Sequence, residues 1–219
     1  DLACIIFTLQ SPETSLGFLD RFLACCEAYN IPVLILFNKI DLLNFEEVEL
    51  VEELQAMYEN LGYQTLQVSS AEKLNLDKLQ EILKDKTCVF FGHSGAGKST
   101  LANALQPDLN LKTNEISETH NKGKHTTTFA QMHFWHFGGA VIDTPGVREF
   151  AMIDVEKEEI QHYFPEIFEK GRACKFHNCK HINEPKCAVL EALETGEILE
   201  SRYITYLKLM EEAEEQNQM

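Results

Sequence analysis

The apolar run Val33-Leu34-Ile35-Leu36-Phe37 ends in Asn38-Lys39-Ile40-Asp41, and only much later does the chain reach Gly92-His93-Ser94-Gly95-Ala96-Gly97-Lys98-Ser99. The second string is a complete phosphate loop, G-x-x-x-x-G-K-S. The first has the form that selects a guanine base. Its aspartate accepts from the ring N1–H and the 2-amino group, a donor pair that adenine lacks, and a buried group left unpaired by the wrong base makes such discrimination strong. In the usual arrangement the phosphate loop comes first and the base reader last. If both strings serve one site, this chain is a rotation of that arrangement, and its fold must bring distant segments together.

The pattern around both strings is an alternation of strands and helices. Strands are predicted over 3–9, 33–37, 63–68 and 87–91, and helices over 14–29, 46–60, 76–83 and 98–105, with Gly62 stopping the second helix. Such alternation implies a parallel sheet with helices on its faces, whose ligands gather at the C-terminal ends of the strands. Both nucleotide strings fall at such ends. Residues 107–128 are polar and predict a long mobile loop. Alternating residues from Phe129 to Phe137 then predict a strand that turns at Gly138-Gly139, a two-residue hairpin, and returns antiparallel over 140–142 into Asp143-Thr144-Pro145-Gly146. Phosphate loop, helix, polar loop, hairpin and Asp-x-x-Gly form the first half of a GTPase domain, and the segments before them form the second half. Rotation of this kind is cheap when the natural ends lie close together.

Glycines in the phosphate loop let backbone N–H groups wrap round phosphates, and the following helix adds its dipole and free N–H groups. The nucleotide set there is Gly92, His93, Ser94, Gly95, Ala96, Gly97, Lys98, Ser99 and Thr100. Lys98 is expected at the β- and γ-phosphates and Ser99 on Mg²⁺. Asn38, Lys39 and Asp41 serve the base, with Ser69 and Ser70 supplying backbone contact from the end of another strand. Asp143 is expected to hold Mg²⁺ through water, and the Gly146 N–H to sense the γ-phosphate. Within Lys122-Gly123-Lys124-His125-Thr126-Thr127-Thr128, Thr127 is expected to close onto Mg²⁺ and the γ-phosphate, a loop ordered by triphosphate and released after hydrolysis. Many GTPases carry a water-orienting glutamine directly after the Asp-x-x-Gly glycine. Here Val147 stands there, so water is positioned by another group or intrinsic turnover is slow. His125 is the candidate; its bland alternative is a solvated loop histidine. The catalytic set is thus Lys98, Thr127 and His125.

Seven cysteines in an uneven pattern argue against a disulfide framework and for a reducing cytoplasm. Cys4, Cys25, Cys26 and Cys88 lie in apolar surroundings and are expected in the core. Cys174, Cys179, His181 and Cys187 offer three thiolates and one imidazole, the donor set of a closed tetrahedral zinc site, with His177 as a substitute ligand. Around them the chain is helical over 155–168 apart from Pro165, over 187–194 and over 198–210, and an acidic tail, 211–219, is expected to fray. The expected fold class is α/β: a circularly permuted P-loop GTPase domain with a mostly parallel sheet over 1–150, then a small helical zinc-binding domain over 151–219. A net charge of −16 is unlike a nucleic-acid binder, with Lys170, Arg172, Lys175, Lys180 and Lys186 as a local exception. No apolar run reaches the roughly 18 residues a membrane span needs. A cytoplasmic monomer without membrane attachment is expected. The chain begins at Asp1, directly in a strand-like segment, so a preceding piece of the protein is expected outside this sequence.

Taken together, these motifs resemble the RsgA (YjeQ/YloQ) family of small ribosomal subunit biogenesis GTPases. The resemblance rests on the rotated motif order, the Gly-Lys-His-Thr-Thr-Thr string at 123–128, Asp143-Thr144-Pro145-Gly146 with an apolar residue after it, and the cysteine–histidine spacing with Glu184-Pro185 before the last cysteine. It implies GTP and GDP as ligands, GTP hydrolysis stimulated by the small ribosomal subunit late in its maturation, and zinc on Cys174, Cys179, His181 and Cys187. It also implies an N-terminal OB-fold that helps grip ribosomal RNA, to which nothing in these residues corresponds. His93 where glutamine is common, and Ser70 where many GTPases have alanine, are departures from the pattern.

Overall fold

A computed structural model describes residues 1–111, 131–143 and 156–216. Its strands are β1 (Leu2–Phe7), β2 (Val33–Phe37), β3 (Gln64–Gln67), β4 (Thr87–Phe91), β5 (Gln131–Phe134) and β6 (Ala140–Asp143). They form one sheet in the order β3-β2-β1-β4-β6-β5, parallel throughout except for β5, which runs antiparallel to β6. Every residue of β1 and β2 is buried, as continuous Val/Ile/Leu/Phe runs require of central parallel strands covered on both faces. The chain steps outward from β1 through β2 to β3, then returns to the other side of β1 with β4. The strand order therefore reverses between β1 and β4, where doubly wound sheets open a crevice for ligands.

Backbone contacts divide the chain into two units: Asp1–Thr14 with Ile31–Glu149, and Ser15–Asn30 with Phe150–Met219. In the first, α2 (Phe45–Asn60), α3 (Leu76–Leu83) and α4 (Lys98–Leu105) accompany the sheet. A capping box starts α2: Asn44 Oδ1 accepts the Glu47 N–H at 3.0 Å and the Glu47 carboxylate accepts the Asn44 N–H at 2.8 Å. Leu79, Leu83, Leu101 and Leu105 pack with Ile6 and Phe90 in the core. Cys4 and Cys88 are buried in the same core as free thiols.

The second unit holds α1 (Leu16–Ala28), α5 (Pro165–Gly171), α6 (Ala188–Glu194) and α7 (Glu200–Gln216). Ala24 and Cys25 of α1 share a core with Ile160, Phe164, Val189 and Leu209. In this unit Arg202 is fully buried. Its Nε donates to Glu166 Oε1 at 2.7 Å and its Nη2 to Oε2 at 3.2 Å, Asp20 lies 3.8 Å from Nη1, and the guanidinium sits 4.6 Å over the Phe164 ring. Replacing Arg202 with methionine keeps the volume but strands two buried carboxylates. The expected cost is about 3–5 kcal/mol, read as a lower denaturant midpoint for the helical unit; an unchanged midpoint would show that the ion group contributes nothing.

Three details depart from the sequence pattern. The hairpin turn is not Gly138-Gly139 alone: Phe134 pairs with Ala140, so residues 135–139 form the loop. Trp135 N–H donates to Gly139 O at 3.0 Å and Gly138 N–H to Trp135 O at 3.2 Å. Trp135 is buried and stacks 5.2 Å from Phe137, so these aromatics hold the turn rather than extend the strand. The acidic tail does not fray from residue 211, because α7 continues to Gln216. Glu212 pairs with Arg21, Glu214 with Lys157, and Ala213 is buried between them in sequence. Finally, Lys157–Tyr163 is a 3₁₀ helix, and Pro165 starts α5 at the position where proline costs no hydrogen bond.

Candidate nucleotide site and metal centre

The phosphate loop joins β4 to α4 and is shaped by close packing against other segments. Gly92 has φ +145°, and a Cβ there would stand 2.8 Å from the Ile6 carbonyl of β1. Gly97 has φ +102°, and a Cβ there would stand 2.5 Å from Asn38 Nδ2. Ala96 N–H donates to His93 O at 3.1 Å within the loop. Lys98 Nζ donates to the Gly92 and His93 carbonyls at 2.6 and 2.8 Å, which keeps the ammonium over the loop mouth. Ser99 and Thr100 lie in the first turn of α4, where free N–H groups and the positive dipole end favour an anion.

The base reader reaches this loop from β2. Asn38 N–H continues the β1–β2 ladder by donating to Phe7 O at 2.9 Å. The side chain, buried at 3 % exposure, donates from Nδ2 to Ala96 O at 2.9 Å. Lys39, left-handed at φ +63°, donates from Nζ to Gly95 O at 2.8 Å and to Ser11 O. Burial lowers its pKa, against the attraction of Asp41. The turn Ile40–Leu42 then presents Asp41, whose Oδ1 accepts the hydroxyl of buried Ser69. Gln10 Nε2 donates to Leu42 O at 2.9 Å on the far side of that turn. Segments around residues 10, 38, 69 and 95 thus meet at one end of the sheet.

The metal-type cluster lies in the helical unit. One ligand atom from each of Cys174, Cys179, His181 and Cys187 falls within 4.8 Å of all the others. Cys174 Sγ is 3.8 Å from Cys187 Sγ and 3.6 Å from His181 Nδ1, which is 3.4 Å from Cys187 Sγ. A tetrahedron with Zn–S of about 2.3 Å and Zn–N of about 2.0 Å has edges of roughly 3.4–3.8 Å. The donor set and the spacing therefore fit zinc. Burial pushes the Cys179 thiol up to about 12 and the His181 imidazole down, which favours the neutral imidazole that can ligate, and a cation is what favours the thiolate. His177 is exposed and outside the cluster. Glu184 shapes the knuckle by accepting backbone N–H groups of Lys180, Ile182 and Asn183 at 2.7, 2.8 and 3.0 Å. Burial works to raise its pKa, but these donors outweigh burial and hold it below the usual carboxylate range. Tyr203 and Tyr206 of α7 donate to His181 O at 2.6 Å and Lys180 O at 3.1 Å, tying the knuckle to the helix.

The sequence profile of the RsgA GTPase family matches residues 1–153, well over half of the chain. The chain belongs to the RsgA GTPase family. A small ribosomal subunit biogenesis GTPase RsgA from Christiangramia forsetii is 47% identical over 215 residues, covering 98% of this chain and 68% of that protein. The crystal structure of YjeQ from Thermotoga maritima superposes with TM-score 0.82 at 38% identity, covering 97% of this chain and 71% of that one. YloQ, described as a circularly permuted GTPase, superposes with TM-score 0.78 at 35% identity, covering 99% and 69%. The chain thus spans about two thirds of the length of these relatives. Membership makes it a GTP-hydrolysing enzyme with a circularly permuted α/β domain. No helix among the described residues is long and apolar enough to cross a membrane.

Within this RsgA fold, Asn38, Lys39, Asp41, Ser69 and the loop Gly92–Lys98 come together. Asp143 ends β6, which runs parallel beside β4, so its backbone lies at the same sheet end as the phosphate loop. His125, Thr127, Gly146 and Val147 lie outside the described residues. Sequence reasoning missed Gln10 and Ser11. Ser11 acts through a main-chain carbonyl, which leaves no trace in side-chain identity, and Gln10 marks no motif.

Proposed function

We propose that this chain binds GTP and GDP with Mg²⁺ and hydrolyses GTP as a factor in late maturation of the small ribosomal subunit, its hydrolysis stimulated by that subunit. The observation that most supports a guanine-nucleotide site is the pairing of Asn38 and Lys39 with the Ala96 and Gly95 carbonyls, which locks base reader and phosphate loop together. The ribosomal role is supported by the name borne by its relatives, small ribosomal subunit biogenesis GTPase. In this reading Gly92 to Thr100 cradle the phosphates, with Lys98 at the β- and γ-phosphates. Asn38, Lys39, Asp41, Ser69 and Ser70 hold the base, and the Gly146 N–H senses the γ-phosphate. Ser99, Thr127 and, through water, Asp143 hold Mg²⁺, which supplies charge neutralisation on the phosphates. His125 positions water. Cys174, Cys179, His181 and Cys187 hold one structural zinc, whose four donors leave no open position. The protein works as a cytoplasmic monomer that touches ribosomal RNA and no membrane.

Val147, in place of a water-orienting glutamine, favours a second reading: a nucleotide-gated binding module with negligible turnover. Phosphate release with and without small ribosomal subunits separates the two. Release well above a buffer blank, and a further rise with subunits, is expected; the blank rate in both cases means a binding module. Asp41→Asn is expected to weaken GDP by about 100-fold and to turn preference towards xanthine, because the amide offers a donor where guanine needs an acceptor. Competition against labelled GDP measures this, and an unchanged order of GDP, XDP and ADP would remove Asp41 from the base site.

A further inference from the structure

His181 turns one ring nitrogen to the cysteine cluster and hides the other. Nδ1 stands 3.6 Å from Cys174 Sγ and 3.4 Å from Cys187 Sγ, so it is the atom placed to ligate, and the proton of the neutral ring falls on Nε2. That Nε2 is buried and has no hydrogen-bond partner among the described residues. A metal-bound imidazole almost always donates its other N–H to a carboxylate, a carbonyl or a water, which fixes the ring and raises its basicity.

What faces Nε2 is set by a glycine. Gly171 is the last residue of α5. Beyond its own helix and adjoining residues, a Cβ on it would have as nearest neighbours His181 Cε1 and Nε2, each at 3.2 Å, and Gln161 Oε1 at 4.0 Å. The imidazole edge and an amide oxygen therefore flank the same space, which glycine leaves free of side chain. Gln161 belongs to the 3₁₀ helix Lys157–Tyr163, and its Nε2 donates to Glu158 O at 3.3 Å. That bond anchors the amide and leaves Oε1 on the side of Gly171.

We propose that Gln161 is a positioning residue of the metal centre: its amide oxygen takes up the His181 Nε2–H through one water seated beside Gly171. This rests on the zinc site proposed above. The water accepts from the imidazole and donates to the amide, so the buried N–H is paired. The ring is thereby held with Nδ1 towards the cysteine sulfurs before metal arrives. Glycine is needed at 171 because a methyl there would take the space of the water and press on the ring.

Metal titrations of the full chain test this, with Gln161→Ala, Gln161→Glu and Gly171→Ala beside the wild type. Glutamate is the discriminating variant, since it loses the amide donor to Glu158 O but keeps an acceptor for the bridge. In competition with a chelator, Gln161→Ala and Gly171→Ala are expected to weaken zinc by about 10–100-fold, and Gln161→Glu to hold at least wild-type affinity. In nuclear magnetic resonance spectra of the zinc-loaded chain with isotope-labelled histidine, the His181 Nε2–H signal is expected to exchange slowly in the wild type and to be lost in Gln161→Ala. Unchanged zinc affinity in either alanine variant overturns the proposal, as does an Nε2–H signal that persists in Gln161→Ala. A Gln161→Glu variant as weak as Gln161→Ala also overturns it, by assigning the effect to the Glu158 bond and the stability of the helical unit. A wild-type chain that takes up cobalt without thiolate-to-metal absorption, or takes up none, would instead overturn the zinc site itself.

Discussion

Cys187→Ser is expected to melt the helical unit while the sheet stays folded. Cys187 is buried, stands at the N-cap position of α6, and lies 3.4 Å from His181 Nδ1 and 3.8 Å from Cys174 Sγ. Serine is a poor zinc ligand, and three remaining donors would bind the ion far more weakly. Structural zinc contributes on the order of 10–16 kcal/mol in small fingers that have little else. Here the surrounding core of Ile160, Phe164, Val189 and Leu209 carries part of the load, so a smaller loss is expected. Even about 3 kcal/mol lowers the melting midpoint of a unit this size by roughly 12–24 °C. Circular dichroism melting, with and without a chelator, reads the effect. His177→Ala is the control, since that residue is exposed and apart from the cluster. A chelator that strips a stoichiometric metal without moving the midpoint would sink the structural role.

Gly97→Ala is expected to abolish useful nucleotide binding, with GDP affinity down by about 100-fold or more. Two effects add. The residue sits at φ +102°, which alanine adopts only under strain, and the new methyl would lie 2.5 Å from Asn38 Nδ2. Asn38 cannot swing aside cheaply, because it is buried and its Nδ2 is bound to Ala96 O. Relief therefore displaces either the phosphate loop or the base reader. The core beneath is untouched, so the fold should survive. Fluorescent GDP titration gives the affinity and a thermal melt reports the fold; binding within threefold of wild type would mean that loop and base reader are not coupled through this contact.

Sequence made some of this legible and hid the rest for physical reasons. β4, the phosphate loop and α4 were readable to the residue, since their glycines, apolar run and helix start all agree. The 135–139 turn was not, because Trp135 and Phe137 continue the strand's alternation while packing under the turn. The length of α7 was hidden because its acids are stabilised by Arg21 and Lys157, partners remote along the chain. Amphipathic spacing announced α1 but not its neighbours, since a hydrophobic stripe says that a helix packs, not against what. At the nucleotide site the side chains Asn38, Lys39 and Asp41 were recognisable, whereas the carbonyls of Ser11, Gly95 and Ala96 that hold them carry no residue signature.

The placement of α1 has a consequence for how the protein is made. During synthesis this helix emerges ahead of strands β2 to β6, while α7, with which it shares a core, emerges after all of them. The sheet unit can close once β6 is out, but α1 must wait, its apolar stripe uncovered, until α7 has been made. Nascent chains halted before α7 are therefore expected to need a chaperone for the α1 stretch, far upstream of the part most recently polymerised.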